Sequence, residues 1–133
     1  MPSACQAGGR FSRCHKPAIN RCQYCGRAFC HEHRYVEEDQ NAVCTRTRCR
    51  LKYDDLVKHL AYKERVRQRN AVGLCGFEQC GPHPTQECSL CNALFCERHV
   101  SERMYPLRYG TVIIDRPVSV CAWCWERRKV WRR

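Results

Sequence analysis

The 133-residue sequence has no long hydrophobic run. Its opening, MPSACQAGGRFSRC, lacks the ~7 or more consecutive apolar residues of a secretory leader. No segment approaches the ~20 apolar residues of a membrane span. The expectation is an intracellular chain, cytoplasmic or nuclear, that neither enters nor binds a membrane. Acidic residues are scarce, with 13 Asp and Glu against 24 Lys and Arg. Apolar residues for a core are also few: each half is about 50 residues long, and a domain that small does not fold on burial alone. No βαβ pattern surrounds the C-x-x-C pairs, as a thioredoxin-like redox centre would require. A redox enzyme therefore ranks last among the readings.

What the chain does have is cysteine. Fourteen of them make up more than a tenth of the sequence, a composition of disulfide scaffolds or metal-stapled modules. In a reducing compartment, metal binding is the favoured use.

A repeat organises these cysteines. From Cys14 the spacing runs C-x7-C-x2-C-x4-C-x2-H through Cys22, Cys25, Cys30 and His33. The same spacing runs from Cys80 through Cys88, Cys91, Cys96 and His99, every position offset by 66 residues. Phe29 and Phe95 repeat as well. Each copy adds one cysteine upstream, Cys5 or Cys75, and a pair downstream, Cys44 and Cys49 or Cys121 and Cys124. Seven cysteines and one histidine per copy make two tetrahedral sites, hence four Zn2+ per chain with no cysteine left over. A disulfide framework gives no reason for a histidine at the same place in both copies. The register also sorts the other histidines. His31 aligns with Glu97, His15 with Gly81 and His83 with Pro17, while His59 falls between the copies. These four are expected to be polar or solvent-facing residues rather than ligands.

Two groupings are open on spacing alone. Sequential quartets would join Cys5, Cys14, Cys22 and Cys25, then Cys30, His33, Cys44 and Cys49. The other possibility is alternation of the pairs. The stretch CQYCGRAFCHEHRY, residues 22–35, resembles the core of AN1-type zinc fingers and, more broadly, the cross-brace group that includes RING and FYVE domains. In AN1 fingers the two ions are interleaved. The resemblance therefore implies one site of Cys5, Cys14, Cys30 and His33 and another of Cys22, Cys25, Cys44 and Cys49. In the second copy it implies Cys75, Cys80, Cys96 and His99, with Cys88, Cys91, Cys121 and Cys124. The chain departs from AN1 in the eight residues between Cys5 and Cys14 and in closing with cysteine pairs. It has PAINRC where FYVE domains carry a basic lipid-binding stretch, and its histidine is sixth where RING ligases place it fourth.

The expected fold class is therefore small zinc-stabilised α+β, two tandem binuclear (cross-brace) zinc fingers joined by a helix. The expected divisions are a first finger over 1–49, a basic helical linker over 50–74, a second finger over 75–124 and a basic, tryptophan-containing tail over 125–133. Four protein ligands per ion leave no open coordination position, so the sites are structural and the protein is expected not to be an enzyme.

Charge suggests the partner. Bound cysteines are thiolates, and fourteen thiolates with four zinc ions lower the formal +11 to +5. What remains positive is segregated: the linker and the tail each carry +4, against +1 for the first finger and −4 for the second. Within the linker, Tyr53, Leu56, Val57 and Leu60 recur on one helical face. Asp54 and Asp55 near the start and Arg67 and Arg69 near the end suit the helix dipole. The opposite face carries Lys58, Tyr62, Arg65 and Arg69, a basic row with a tyrosine that could follow a phosphate backbone and stack on a base. The tail adds Arg127, Arg128 and Lys129 beside Trp125 and Trp131, while Trp123 is expected in the core. The stretch YGTVIIDRPVSVC, broken by Gly110 and Pro117, is expected to form a hairpin ending at the second finger's last cysteine pair. The first expectation is binding to nucleic acid or a ribonucleoprotein through the linker and tail. The alternative is a protein-interaction adaptor of the AN1 kind in a ubiquitin or stress pathway, with a ubiquitin-ligase module third.

Overall fold

The computed structural model describes residues 4–9, 12–38 and 40–131. Arg132 and Arg133, the last two cations of the tail, lie outside the described residues. The chain divides into two compact units at Val57 and Lys58.

In the first unit a two-residue pair, β1 (Asn20–Arg21) and β2 (Ala28–Phe29), frames the C-x-x-C loop. A short 3₁₀ turn at His31–His33 follows, then the hairpin β3 (Arg34–Glu38) and β4 (Asn41–Cys44), then helix α1 (Thr47–Ala71). The second copy repeats this order. β5 (Gln86–Glu87) pairs with β6 (Leu94–Phe95), a turn carries His99, β7 (Val100–Tyr109) pairs with β8 (Val112–Cys121), and helix α2 (Ala122–Trp131) closes the unit.

The repeat extends to single hydrogen bonds. Cys22 N–H donates to Arg27 O at 2.8 Å, and Cys88 N–H to Ala93 O at 2.9 Å. Ile19 N–H donates to Phe29 O, and Thr85 N–H to Phe95 O. The sequence offset is thus a structural one.

These elements are too short to hold themselves. Most strands pair over two to five residues, and a lone two-stranded pair is marginal in water. The first core consists of Phe29 and Val43 among five buried cysteines, with Tyr53 packed against them. The second consists of Val66, Phe95 and Val120 among four buried cysteines. Cysteines make up most of the buried residues in both cores.

Three expectations need revision. The helix is not a linker beginning at residue 50, since α1 starts at Thr47 and carries Cys49 as its third residue. Its first turn therefore holds Arg48 and no acid, and Asp54 and Asp55 lie too far along to complement the dipole. The face that carries Tyr53, Leu56, Val57 and Leu60 is only partly covered, with Val57 49% and Leu60 58% exposed. Each end of α1 instead serves its own unit through one i, i+4 pair. Cys49 and Tyr53 join the first core, while Tyr62 and Val66 join the second. Pro117 does not break the second hairpin, because β8 runs through it opposite Met104.

The second core contains a close contact that can be tested. A Cβ built on Gly76 would lie 2.7 Å from Val66 Cγ1 and 2.8 Å from a ring carbon of Phe95, whereas one on Gly81 would meet nothing within 4 Å. Gly76→Ala should destabilise the metal-loaded protein by about 1–3 kcal/mol through overpacking. Gly81→Ala should be close to neutral. Denaturant midpoints of the two variants measure the difference.

Candidate metal centres

Four groups of ligand-type side chains converge among the described residues. They are Cys5, Cys14, Cys30 and His33; Cys22, Cys25, Cys44 and Cys49; Cys75, Cys80, Cys96 and His99; and Cys88, Cys91, Cys121 and Cys124. Within each, the ligand atoms all lie within 4.8 Å of one another. Membership alternates along the chain: in each copy the C-x-x-C pair joins the last two cysteines, while the cysteines and histidine around it form the other group.

The spacing inside the groups suits a bound ion. None of the fourteen cysteines is in a disulfide. Their sulfurs approach to 3.8 Å for Cys14 and Cys30, 3.7 Å for Cys25 and Cys44, 3.7 Å for Cys80 and Cys96, and 3.9 Å for Cys91 and Cys121. A disulfide would require about 2.05 Å. Four thiolates about 2.3 Å from a central ion in a tetrahedron stand about 3.8 Å apart, and a thiolate and an imidazole nitrogen about 3.6 Å apart. His33 presents Nδ1 at 3.6 Å from Cys5 Sγ and 3.4 Å from Cys30 Sγ. His99 presents Nδ1 at 3.5 Å from Cys75 Sγ and 3.1 Å from Cys96 Sγ. These distances match edges of a coordination tetrahedron, and each group could hold one metal ion.

The surroundings favour thiolate at some donors and oppose it at others, burial pushing Cys44 up to about 11 and raising Cys49 as well. Backbone N–H groups aim at the sulfurs, as Tyr24 does at Cys22 (3.4 Å), Cys96 at Cys75 (3.2 Å) and Cys121 at Cys88 (3.4 Å). Burial opposes ionisation of Cys30, but hydrogen bonds from His33 and from the Glu32 and His33 amides outweigh it and lower its pKa to about 6. Cys96 is likewise brought to about 6, with burial opposed first by the Arg98 amide. Cys49 and Cys124 each stand third in a helix, in the first turn of α1 and α2. Both all-cysteine groups thus sit at helix N-termini, the end that favours negative charge.

The histidines divide as the register implies. His31, His15, His83 and His59 belong to none of the four groups. His59 has an internal task, accepting a 3.0 Å hydrogen bond at Nδ1 from Trp123 Nε1–H.

The linker and tail residues are placed differently from a nucleic-acid row. Tyr62 is engaged in the second unit. Its ring stacks on Trp123 at 4.6 Å, the His59 ring lies 6.3 Å away on a nearly parallel plane, and its hydroxyl donates to Cys121 Sγ at 3.4 Å. Burial first, then this bond, raises the phenol pKa well above its usual value. Arg69 donates to Cys75 O at 2.8 Å and Cys80 O at 2.6 Å, clamping the loop between two ligands. Arg128 lies 3.7 Å over the Trp125 ring and donates to Trp125 O. Lys129 pairs with Glu126 at 2.9 Å. Arg127 lies 6.0 Å from the Trp131 ring centroid. Lys58 and Arg65 stand exposed on α1.

Three groups that support the centres escape sequence reading. Phe77 stacks on His99 at 4.1 Å. Asn70 exchanges hydrogen bonds with Leu94, its amide donating to Leu94 O and its carbonyl accepting from Leu94 N–H, both at 2.9 Å. Gln6 Oε1 accepts from Ala28 N–H at 2.8 Å. The repeat signals neither Asn70 nor Gln6, because each belongs to one copy only, whereas Phe77 has a counterpart at the same offset in Phe11, which lies outside the described residues.

Arg69→Met keeps the aliphatic stem but removes both carbonyl contacts, and should cost about 1–3 kcal/mol of stability in denaturant unfolding of the metal-loaded chain. Lys58→Met, on the exposed face, should change the midpoint little.

Comparison with protein-family models, with curated proteins and with solved structures finds no match to this chain.

Proposed function

We propose that the four centres each bind one Zn2+ in a cross-braced, AN1-like arrangement, and that the chain is a non-enzymatic binding scaffold. The observation that carries this reading is the convergence of four groups of ligand atoms, two of cysteine sulfur alone and two of sulfur with an imidazole nitrogen, each within 4.8 Å. That donor set suits zinc. When bound, zinc would supply apparent folding free energy on the order of 10–16 kcal/mol per structural site in peptide systems, which short strands and small cores cannot provide. Four protein ligands per ion leave no position for water or substrate, which supports a structural role rather than a hydrolytic one.

A protein partner is favoured over nucleic acid. Of the seven cationic and aromatic residues expected to contact a phosphate backbone, Tyr62, Arg69, Arg128 and Lys129 are held in specific contacts within the fold. The other features still in search of a partner are apolar, on the long second hairpin. This chain is read as a protein-interaction adaptor, with the nucleic-acid reading second and resting on Lys58 and Arg65.

Elemental analysis of the purified chain should return four zinc ions, and chelation should unfold both units. His33→Ala should lower the content by about one ion, whereas His31→Ala should leave it unchanged. A content near two would mean one ion per copy and would remove the proposal. Binding to RNA or DNA, if measured, should be weak and without a steep salt dependence. A steep slope that falls on substitution of Lys58 and Arg65 would restore the nucleic-acid reading.

A further inference from the structure

The β7–β8 ribbon is longer than its unit supports. Near its base Val120 is buried, Arg103 lies 5.1 Å over the Trp125 ring, and Tyr105 lies 6.5 Å from it. The outer half is covered less: Arg116 lies 5.7 Å over the Tyr109 ring, but Met104, Tyr109, Val112 and Ile113 are between 52% and 58% exposed, and Ile114 is 38% exposed. An apolar two-stranded ribbon is marginal in water unless a further strand or another surface covers it.

The register shows where a strand can add. Gly110 takes a φ of 64° and Thr111 a negative one, the type II′ pattern of a two-residue hairpin. Tyr109 and Val112 therefore exchange hydrogen bonds, as do the pairs Leu107/Ile114 and Tyr105/Arg116. The alternate pairs Arg108/Ile113, Pro106/Asp115 and Met104/Pro117 point their backbone groups outward. Both prolines fall at outward positions, where a missing N–H costs the ribbon nothing. Their effects on the two edges differ. On β7, Pro106 interrupts the outer half, and the successive complete outward residues Met104 and Glu102 begin only towards the base. On β8, Ile113 and Asp115 are successive and complete before Pro117. The stretch TVIIDR, residues 111–116, is the open edge.

We propose that this edge pairs with the same edge of a second copy, antiparallel about a two-fold axis at Ile114, giving a four-stranded sheet. The segment is self-complementary in that register. Ile113 lies opposite Asp115 of the second copy and exchanges two hydrogen bonds with it, and the symmetric pair does the same. Leu107 and Ile114 of both copies line up in one apolar row. Arg108, the cross-strand neighbour of Ile113, comes onto the same face as the second copy's Asp115, within reach of its long side chain. An axis one residue further on would set Asp115 against Asp115 and ask Pro117 for a donor it lacks. A lipid surface suits the ribbon less well, because insertion would leave the outward groups of Ile113 and Asp115 unpaired in hydrocarbon. An isologous contact of this kind closes at two copies.

The test is sedimentation equilibrium of the full zinc-loaded chain. The wild type should form a concentration-dependent dimer. Ile113→Pro removes an outward donor in each copy without touching the β7–β8 ladder, as Pro106 and Pro117 already do, and should weaken the dimer by about tenfold or more. Ile114→Lys sets like charges together at the axis and should do the same, whereas Met104→Lys on β7 should not. The ribbon needs the metal-loaded second unit as its base, so the proposal rests on the zinc reading. Zinc content measured on every variant separates the two: four ions with loss of the dimer supports the pairing, whatever the first unit does. A wild type that stays monomeric at several hundred micromolar, or an Ile113→Pro variant that dimerises normally, overturns it. Binding of monomeric wild type to anionic vesicles would also overturn it and assign the tip to a lipid surface.

Discussion

Everything in this chain depends on four donors standing near the corners of a small tetrahedron, four times over. A sulfur-to-sulfur distance near 3.8 Å leaves no freedom to the backbone that delivers it. Cys5 must come to His33 and Cys22 to Cys49, so each group ties together segments far apart in sequence. Because the groups alternate along the chain, neither half of a copy can form its site without the other. The secondary structure is thus a means of delivery. Two-residue strand pairs set the C-x-x-C loop, a 3₁₀ turn sets His33, and a helix start sets Cys49. An ordinary domain obtains this closure from aliphatic burial, whereas here Phe29 and Phe95 are the largest fully buried side chains and sulfur surrounds them.

Three or four ionised sulfurs around each proposed ion would raise an electrostatic problem that the fold can answer locally. With a dipositive ion, four thiolates leave a net −2 and three with a histidine leave −1. Both all-cysteine groups sit at helix N-termini and receive backbone N–H groups. The second also receives the Tyr62 hydroxyl. Arg48 in the first turn of α1, unfavourable to the dipole by itself, is reasonable beside a −2 centre at that end. Part of the positive charge in the sequence therefore has a destination inside the protein.

The repeat made the sites legible and hid the helices. Ligand identity could be read because a metal site fixes residue type and spacing together, and a 66-residue offset exposes both at once. His31 could be set aside because Glu97 stands in its place. The extent of α1 could not be read, since its two ends meet different neighbours and no single apolar stripe runs along it. Tyr62 and Arg69 looked like a solvent row for the same reason. A helical wheel places them on the face away from Leu60, but it cannot tell which face finds a neighbour. Arg69 finds carbonyls and Tyr62 an indole and a thiolate. The hairpin was legible as β structure from its β-branched run. That Pro117 would sit within a strand was not, because an outward-facing proline is compatible with a ladder and only the register tells which way it faces.

Net charge is therefore a poor guide to partner in a protein of this kind. The formal +11 would fall to +5 if each group held a zinc ion on thiolates, and several cations in the two segments that carried the excess are engaged: Arg69 with carbonyls, Arg67 with Glu64, Arg128 with an indole, Lys129 with Glu126. A cation held in such contacts must lose them to neutralise a phosphate, which lowers the net gain on binding. Exposed apolar side chains on a strand with free backbone groups face the opposite balance. For Ile113 and Ile114, pairing removes apolar area from water and supplies hydrogen bonds to groups already directed outward, so the second hairpin, where the two copies differ most, is where association would gain most.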